Sequence, residues 1–153
     1  MPLLVLKFGG TSVGSCDKIT KVAKLIKKYH DKKNKVIVVS SAMTGVTNDL
    51  DRKSKSISEK FEKSEYDVLV SAGEQIACSL LAGSLIKLGL KSRSWLSWQL
   101  PILTDGKYAS SRIIKIDTKE VLSFINKGGI PVITGFQGVS IEKRVTTLGR
   151  GGS

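Results

Sequence analysis

Apolar positions along this chain fall into two kinds of run. Leu3-Leu4-Val5-Leu6, Val36-Ile37-Val38-Val39 and Ile130-Pro131-Val132-Ile133-Thr134 are continuous and of strand length. They predict core strands, and the β-branched run at 36–39 predicts one buried on both faces. Elsewhere the apolar residues are periodic. Ile19, Val22, Ala23, Ile26 and Tyr29 recur at helical spacing with lysines on the opposite face, and Ser15 or Asp17 is placed to cap that helix. Val121, Leu122 and Ile125 mark a second amphipathic helix over 118–127, with Thr118 as its cap and Gly128-Gly129 as its stop. Residues 67–88 are apolar or small on several faces and predict a largely buried helix, whereas 49–63 are polar and predict an exposed helix or lid. Short β-type pieces follow at 92–98, 102–106 and 112–116, with Trp95 and Trp98 expected as packing anchors. Strand, helix, strand in the first 39 residues is a βαβ unit, so the sheet should begin parallel and right-handed.

The loops that follow the strands carry the chemistry. Lys7-Phe8-Gly9-Gly10-Thr11-Ser12-Val13-Gly14-Ser15 reads as strand end, glycine turn and helix start. Glycine lets the backbone turn sharply and bring its N–H groups near an anion, and the next helix aims the positive end of its dipole at the same place. Lys7 adds a point charge at the carboxyl end of the strand, where open α/β sheets bind ligands. A plain connecting turn has the same shape. Neither the Walker A pattern nor G-x-G-x-x-G is present. The second strand delivers a hydroxyl-rich loop, Ser40 to Asn48, to the same edge; Thr47 or Asn48 is placed to cap a helix there. Glu74 lies in the middle of the apolar 67–88 segment, where a carboxylate needs a partner: either a lysine of the chain or a cation on a ligand. Arg150, flanked by glycines and followed by Ser153, suits a bidentate grip on a carboxylate or phosphate, or is a plain tail.

Bulk properties narrow the classes. The chain of 153 residues has the length of one domain, and no apolar run approaches the roughly 20 residues of a membrane-spanning helix. No amino-terminal segment has the form of a signal peptide, so cytoplasm is the expected compartment. Cys16 and Cys78 are far apart, and the single histidine, His30, sits among lysines and is expected at the surface. Thiolate metal binding, a disulfide framework and histidine-based catalysis therefore lack candidates. The net charge of +12 raises nucleic-acid binding, but the lysines are interleaved with helical apolar positions and acids, and aromatic platforms are few.

Five separated segments together resemble the aspartokinases of the amino-acid kinase family: Lys7–Gly14, Ser41–Asn48, Ser71–Glu74, Gly135–Gly138 and Thr146–Ser153. The resemblance implies a three-layer α/β/α sandwich with a mostly parallel central sheet. It also implies transfer of the γ-phosphoryl group of ATP, carried with Mg2+, to the side-chain carboxylate of L-aspartate, giving 4-phospho-L-aspartate. That step leads toward lysine (diaminopimelate), threonine and methionine. Lys7 would be catalytic; Lys7, Phe8, Gly9 and Gly10 would hold phosphate; Thr47, Glu74, Arg150 and Ser153 would bind aspartate. No residue is assigned as a metal ligand. In place of the family's usual histidine and glycine after Asp105-Gly106 stand Lys107-Tyr108-Ala109-Ser110-Ser111.

Residues 1–153 are thus expected to be the N-terminal part of an amino-acid kinase domain, truncated at its C-terminus and without the regulatory ACT domains. Two alternatives stand beside an active kinase. One is an inactive remnant or half of a split enzyme, with a homodimer or a complementing C-terminal polypeptide as partner. The other, disfavoured, is a basic nucleic-acid-binding module.

Overall fold

The computed structural model describes residues 1–149. In chain order the elements are β1 (Leu3–Phe8), α1 (Cys16–Asp31), β2 (Lys35–Ser40), α2 (Val46–Ile57), α3 (Lys63–Lys87), β3 (Ser92–Trp95), β4 (Ile102–Thr104), β5 (Ile113–Ile116), α4 (Lys119–Asn126), β6 (Ile130–Thr134), β7 (Gln137–Val139) and β8 (Val145–Thr147). Four strands form a wholly parallel sheet in the order β1-β2-β6-β3, with Val5 opposite Ile37, Val39 opposite Ile133 and Ser94 opposite Val132. The other four form a smaller mixed sheet, β5-β4-β7-β8, in which β4 and β7 run parallel and the outer pairings are antiparallel.

Alternation along the strands sorts the core into two halves. Val36, Val38, Ile130 and Val132 point to one face, where Ile19, Val22, Ala23 and Ile26 of α1 and Cys78, Leu81 and Leu85 of α3 cover them. Ile37, Val39 and Ile133 point to the other, where Val121 and Ile125 of α4 pack with Trp95, Leu100 and Ile102. Helices on both faces of a mostly parallel sheet give the expected three-layer α/β/α arrangement. The covering is uneven. Two helices of 16 and 25 residues lie on the first face, while one of 8 residues lies on the second.

That imbalance corrects the expectation of a buried first strand. Leu3, Val5 and Lys7 all lie on the thinly covered face; Val5 is 62% exposed, and among the described residues β1 pairs with β2 alone. In β2, Val36, Val38 and Ser40 are buried but Lys35, Ile37 and Val39 are half-buried, for the same reason. Other differences are local. Gly45, not Thr47 or Asn48, is the N-cap of α2, and the helix spans part of the segment expected as a lid. Residues 137–139, expected in a loop, form β7, because Gln137 and Val139 pair with β8. Trp95 is a packing anchor, edge-on to Phe124 at 5.9 Å, but Trp98 is 55% exposed. His30 is half-buried at the end of α1, with Nδ1 lacking a partner among the described residues.

Helix α3 starts at Lys63, four residues before its predicted start, and is long and apolar enough to cross a membrane by length and composition. Its packing says otherwise: it lies against α1, α2, β3, β6 and β8, and it buries both Asp67 and Glu74 inside the protein.

Candidate functional site

Strands β1, β2 and β6 run in the same direction, so the loops after them gather at one sheet edge. Backbone bonds lock these loops together. Ser41 N–H donates to the Phe8 carbonyl (3.0 Å), and Gly135 N–H to that of Ser40 (3.0 Å). Thr44, which sequence reasoning did not single out, donates its hydroxyl to the Gly10 carbonyl at 2.8 Å. A Cβ on Gly10 would lie 2.9 Å from the Ala42 carbonyl oxygen, so glycine is needed there for loop packing as well as for any ligand. Gly9 looks into open space.

Beside this edge is a cavity of about 650 Å³. Gly10 and the 41–45 loop form its floor, Thr47 and Asn48 of α2 one wall, Tyr66 and Glu74 of α3 another, and Ala109, Phe136, Thr147 and Leu148 the far side. The first turn of α2 opens on it. Gly45, left-handed at φ +84°, lets the chain enter that helix, and no side chain caps its first amides among the described residues. An uncapped helix start favours an anion.

Glu74 is the electrostatic centre of the cavity. It is 3% exposed; Oε1 accepts the Ala42 N–H at 3.2 Å, and Oε2 is buried with no hydrogen-bond partner among the described residues. The lysine partner that its sequence position allowed is not found among them. Burial pushes the Glu74 carboxyl up to about 7, against the pull of the Ala42 amide. Cys78, one turn further along α3, is pushed up to about 12 by burial and by the charge of Glu74, so it is a thiol near neutrality and not a nucleophile. Gly73, beside Glu74, permits this geometry: a Cβ there would stand 2.9 Å from Ala42 Cβ and 3.2 Å from Val46 Cγ1.

A second buried carboxylate was missed in the sequence. Asp67, fully buried, lies two turns before Glu74. It accepts the Ala109 N–H (3.0 and 3.1 Å), the Thr147 N–H (2.8 Å) and the Thr147 hydroxyl (2.7 Å). The only signal for it was an acid at the head of an apolar helix, and nothing local names partners 42 and 80 residues away.

The predicted site residues therefore divide. Gly10, Thr47 and Glu74 line one cavity. Lys7 stands on the exposed face of β1, Phe8 packs against the core on the opposite face, and Gly9 sits in the turn; these three are outside the cavity lining. Arg150 and Ser153 lie outside the described residues. Among those described, no group of three His, Cys, Asp or Glu side chains is placed to hold a metal ion.

A parallel sheet with helices on both faces, glycine turns and an uncapped helix start at its carboxyl edge defines an α/β protein suited to anionic ligands. The model of the amino acid kinase family matches residues 2–153, and the chain belongs to that family. Within it, the chain is 46% identical over 153 residues to an aspartate kinase of Stutzerimonas stutzeri and 45% identical over 156 to an aspartokinase of Rickettsia conorii. All of this chain is covered in both matches, but only 37% and 39% of those relatives. The chain thus spans less than two fifths of the length of these curated relatives. Among solved structures, an aspartate kinase from Synechocystis superposes with a TM-score of 0.85 at 34% identity, over 99% of this chain and 24% of its own. Aspartokinase III of E. coli, in complex with aspartate and ADP, has a TM-score of 0.83 at 22% identity, over 99% of this chain and 44% of its own, and shows the shared fold.

Proposed function

We propose that the cavity is an amino-acid site and that the chain contributes it to an aspartate kinase, which transfers the γ-phosphoryl group of ATP to the side-chain carboxylate of L-aspartate. The observation that carries this is the bare, buried Oε2 of Glu74 in the same cavity as the uncapped start of α2. A ligand that satisfies both must carry a cation and an anion, and an α-amino acid does. Glu74 receives the α-ammonium; Thr47 and the first amides of α2 receive a carboxylate. Kinase relatives at 44–46% identity supply the reaction class.

In the transfer, an oxygen of the aspartate side chain attacks the γ-phosphorus, and the bond to the β,γ-bridging oxygen breaks, leaving ADP and 4-phospho-L-aspartate. Such chemistry needs positioning and charge neutralisation more than covalent help. Lys7 is assigned to the charge on the transferring group, with Phe8, Gly9 and Gly10 shaping the phosphate turn. Arg150 and Ser153 are assigned to the substrate. Mg2+ enters with the nucleotide. The product, an acyl phosphate of aspartate, feeds lysine or diaminopimelate, threonine and methionine synthesis, and the reaction belongs in the cytoplasm, where ATP and free aspartate are.

A second reading concerns completeness and rests on the thinly covered sheet face. Val5, Ile37, Val39, Ile133, Leu122 and Phe136 line an apolar groove of about 330 Å³ there. Parallel sheets are stable with both faces covered, and an unpaired apolar edge invites another strand. We assign the groove and the free edge of β1 to polypeptide equivalent to the part of the relatives that this chain does not span, whether continuous with it or separate.

The test is an assay for acyl phosphate, trapped with hydroxylamine, with the chain alone and with that complementing polypeptide. Turnover dependent on aspartate and ATP and lost in Lys7→Ala is the expected result. No hydroxamate in either mixture, with both polypeptides folded, would refute the assignment.

A further inference from the structure

We propose that Asp67 is a positioning residue for this amino-acid pocket: it latches the loop around Ala109 and strand β8 onto α3, and so fixes the cavity wall that faces α2. The proposal rests on the reading of the cavity as an amino-acid site, and it adds a residue that touches no ligand.

The geometry is that of a clamp. Both carboxylate oxygens of Asp67 are used, and all the donors come from two segments distant in sequence. Ala109 is left-handed at φ 64°, a conformation that an alanine holds only where its surroundings impose it, and its N–H is one of the groups Asp67 holds. Thr147 is bound twice, by amide and hydroxyl. Its neighbour across the ladder, Gln137, donates from Nε2 to the Ser71 carbonyl at 3.1 Å, a second tie between the small sheet and α3 one turn further on. Ala109, Thr147 and Glu74 all line the cavity, so the residue that pins the first two sets their distance from the third.

Stability alone is a poor explanation for this carboxylate. No ion-pair partner of Asp67 is found among the described residues, and a buried charge is costly even when it is hydrogen-bonded. An apolar side chain would fill the position at less cost, but it would leave the Ala109 and Thr147 amides without an acceptor. What an ionised carboxylate does here is accept from several donors at once, drawing two otherwise unconnected segments to one point.

The experiment uses Asp67→Asn and, because that variant risks misfolding, Thr147→Val, which removes one bond of the clamp and keeps the charge. Each is studied as the isotopically labelled 153-residue chain at a temperature where circular dichroism shows it folded. Two quantities are read by NMR: the affinity for L-aspartate, and amide exchange at Ala109 and Thr147 compared with Ile26 and Val36 in the core. For Asp67→Asn, where an amide NH2 meets a backbone N–H, we expect aspartate affinity to fall about tenfold, the loss of one charge-assisted bond. Exchange at Ala109 and Thr147 should rise while Ile26 and Val36 stay unchanged. Thr147→Val should show the same pattern, more weakly, and decides the matter if Asp67→Asn does not fold. Unchanged affinity and exchange in a folded variant, or acceleration of all four amides together, overturns the proposal; the second outcome is what a purely structural role gives. If the unaltered chain binds no aspartate at millimolar concentration, the amino-acid reading fails. The exchange pattern alone then decides whether the latch stands.

Discussion

Replacing Glu74 by Gln removes a charge that the fold leaves half-compensated, and the effect on stability should be a gain with a definite pH dependence. In the folded chain the carboxyl is raised from its ordinary 4.5 to about 7 by burial. Below pH 4.5 the group is protonated in both the folded and unfolded states, and the fold has its full stability. As pH rises from 4.5 to about 7, the unfolded chain releases the proton and the folded chain holds it, so stability is lost across that window and stays lost above it. The interval corresponds to about 3 kcal/mol. With the residue 3% exposed, solvent screening takes little from it. Glutamine does not titrate, so this loss is absent in Glu74→Gln, and every other group titrates alike in the two proteins. Urea unfolding at pH 4 and pH 8 measures it. The stability difference, variant minus parent, should be more positive at pH 8 than at pH 4 by about 3 kcal/mol, or about 6–12 °C in Tm for a domain of this size. Comparing two pH values removes any constant offset from an amide in place of a carboxyl. An equal difference at both would refute the account of Glu74 as a buried, unpaired acid. The same variant should lose L-aspartate affinity, so a residue costly to the fold would be one the ligand needs.

Three further outcomes follow from the same geometry. Because an ammonium ligand needs the Glu74 carboxylate, L-aspartate affinity should fall about tenfold per pH unit below about 7 and level off above it; calorimetry from pH 5.5 to 8.5 checks this, and a flat profile contradicts it. Gly10→Ala should destabilise the chain by about 1–3 kcal/mol, since its Cβ would meet the backbone oxygen of Ala42 at 2.9 Å, whereas Gly9→Ala, with open space around it, should leave thermal stability nearly unchanged. Val5→Asp should abolish capture of the complementing polypeptide in size-exclusion chromatography while the isolated chain keeps its Tm, because Val5 is already 62% exposed; retained capture would move the docking surface elsewhere.

What was legible in the sequence was whatever a residue's neighbours along the chain decide. Ser15 caps α1 by accepting the Lys18 amide at 3.2 Å, and Ile19, Val22, Ala23 and Ile26 turn inward as their spacing required. Gly10, Thr47 and Glu74 converge because parallel strands deliver their loops to one edge, a consequence of the βαβ reading. What was not legible depends on the far side of a layer. Leu3-Leu4-Val5-Leu6 is written as a buried strand, yet one of its faces is bare, because covering it needs more than the 8 residues of α4. Thr44 and Gly73 looked ordinary: the first matters for a carbonyl 34 residues away, the second for the space that Ala42 and Val46 leave it.

The clearest case is the pair of acids on α3, which the sequence presents as equals: two carboxylates seven residues apart on the buried face of an apolar helix. The fold treats them oppositely. Asp67 is saturated, with both oxygens engaged by donors from two segments, whereas Glu74 has one amide and a bare oxygen. The desolvation of each carboxylate is comparable, so the difference lies in compensation, and compensation comes from parts of the chain that composition and spacing do not reach. A saturated buried acid holds protein to protein. An unsaturated one has capacity left for a cation from outside, and its place in the cavity beside the start of α2 shows where that cation would enter. On this argument Asp67 builds the site and Glu74 uses it. Exchanging their surroundings, not their identities, is what would exchange their roles.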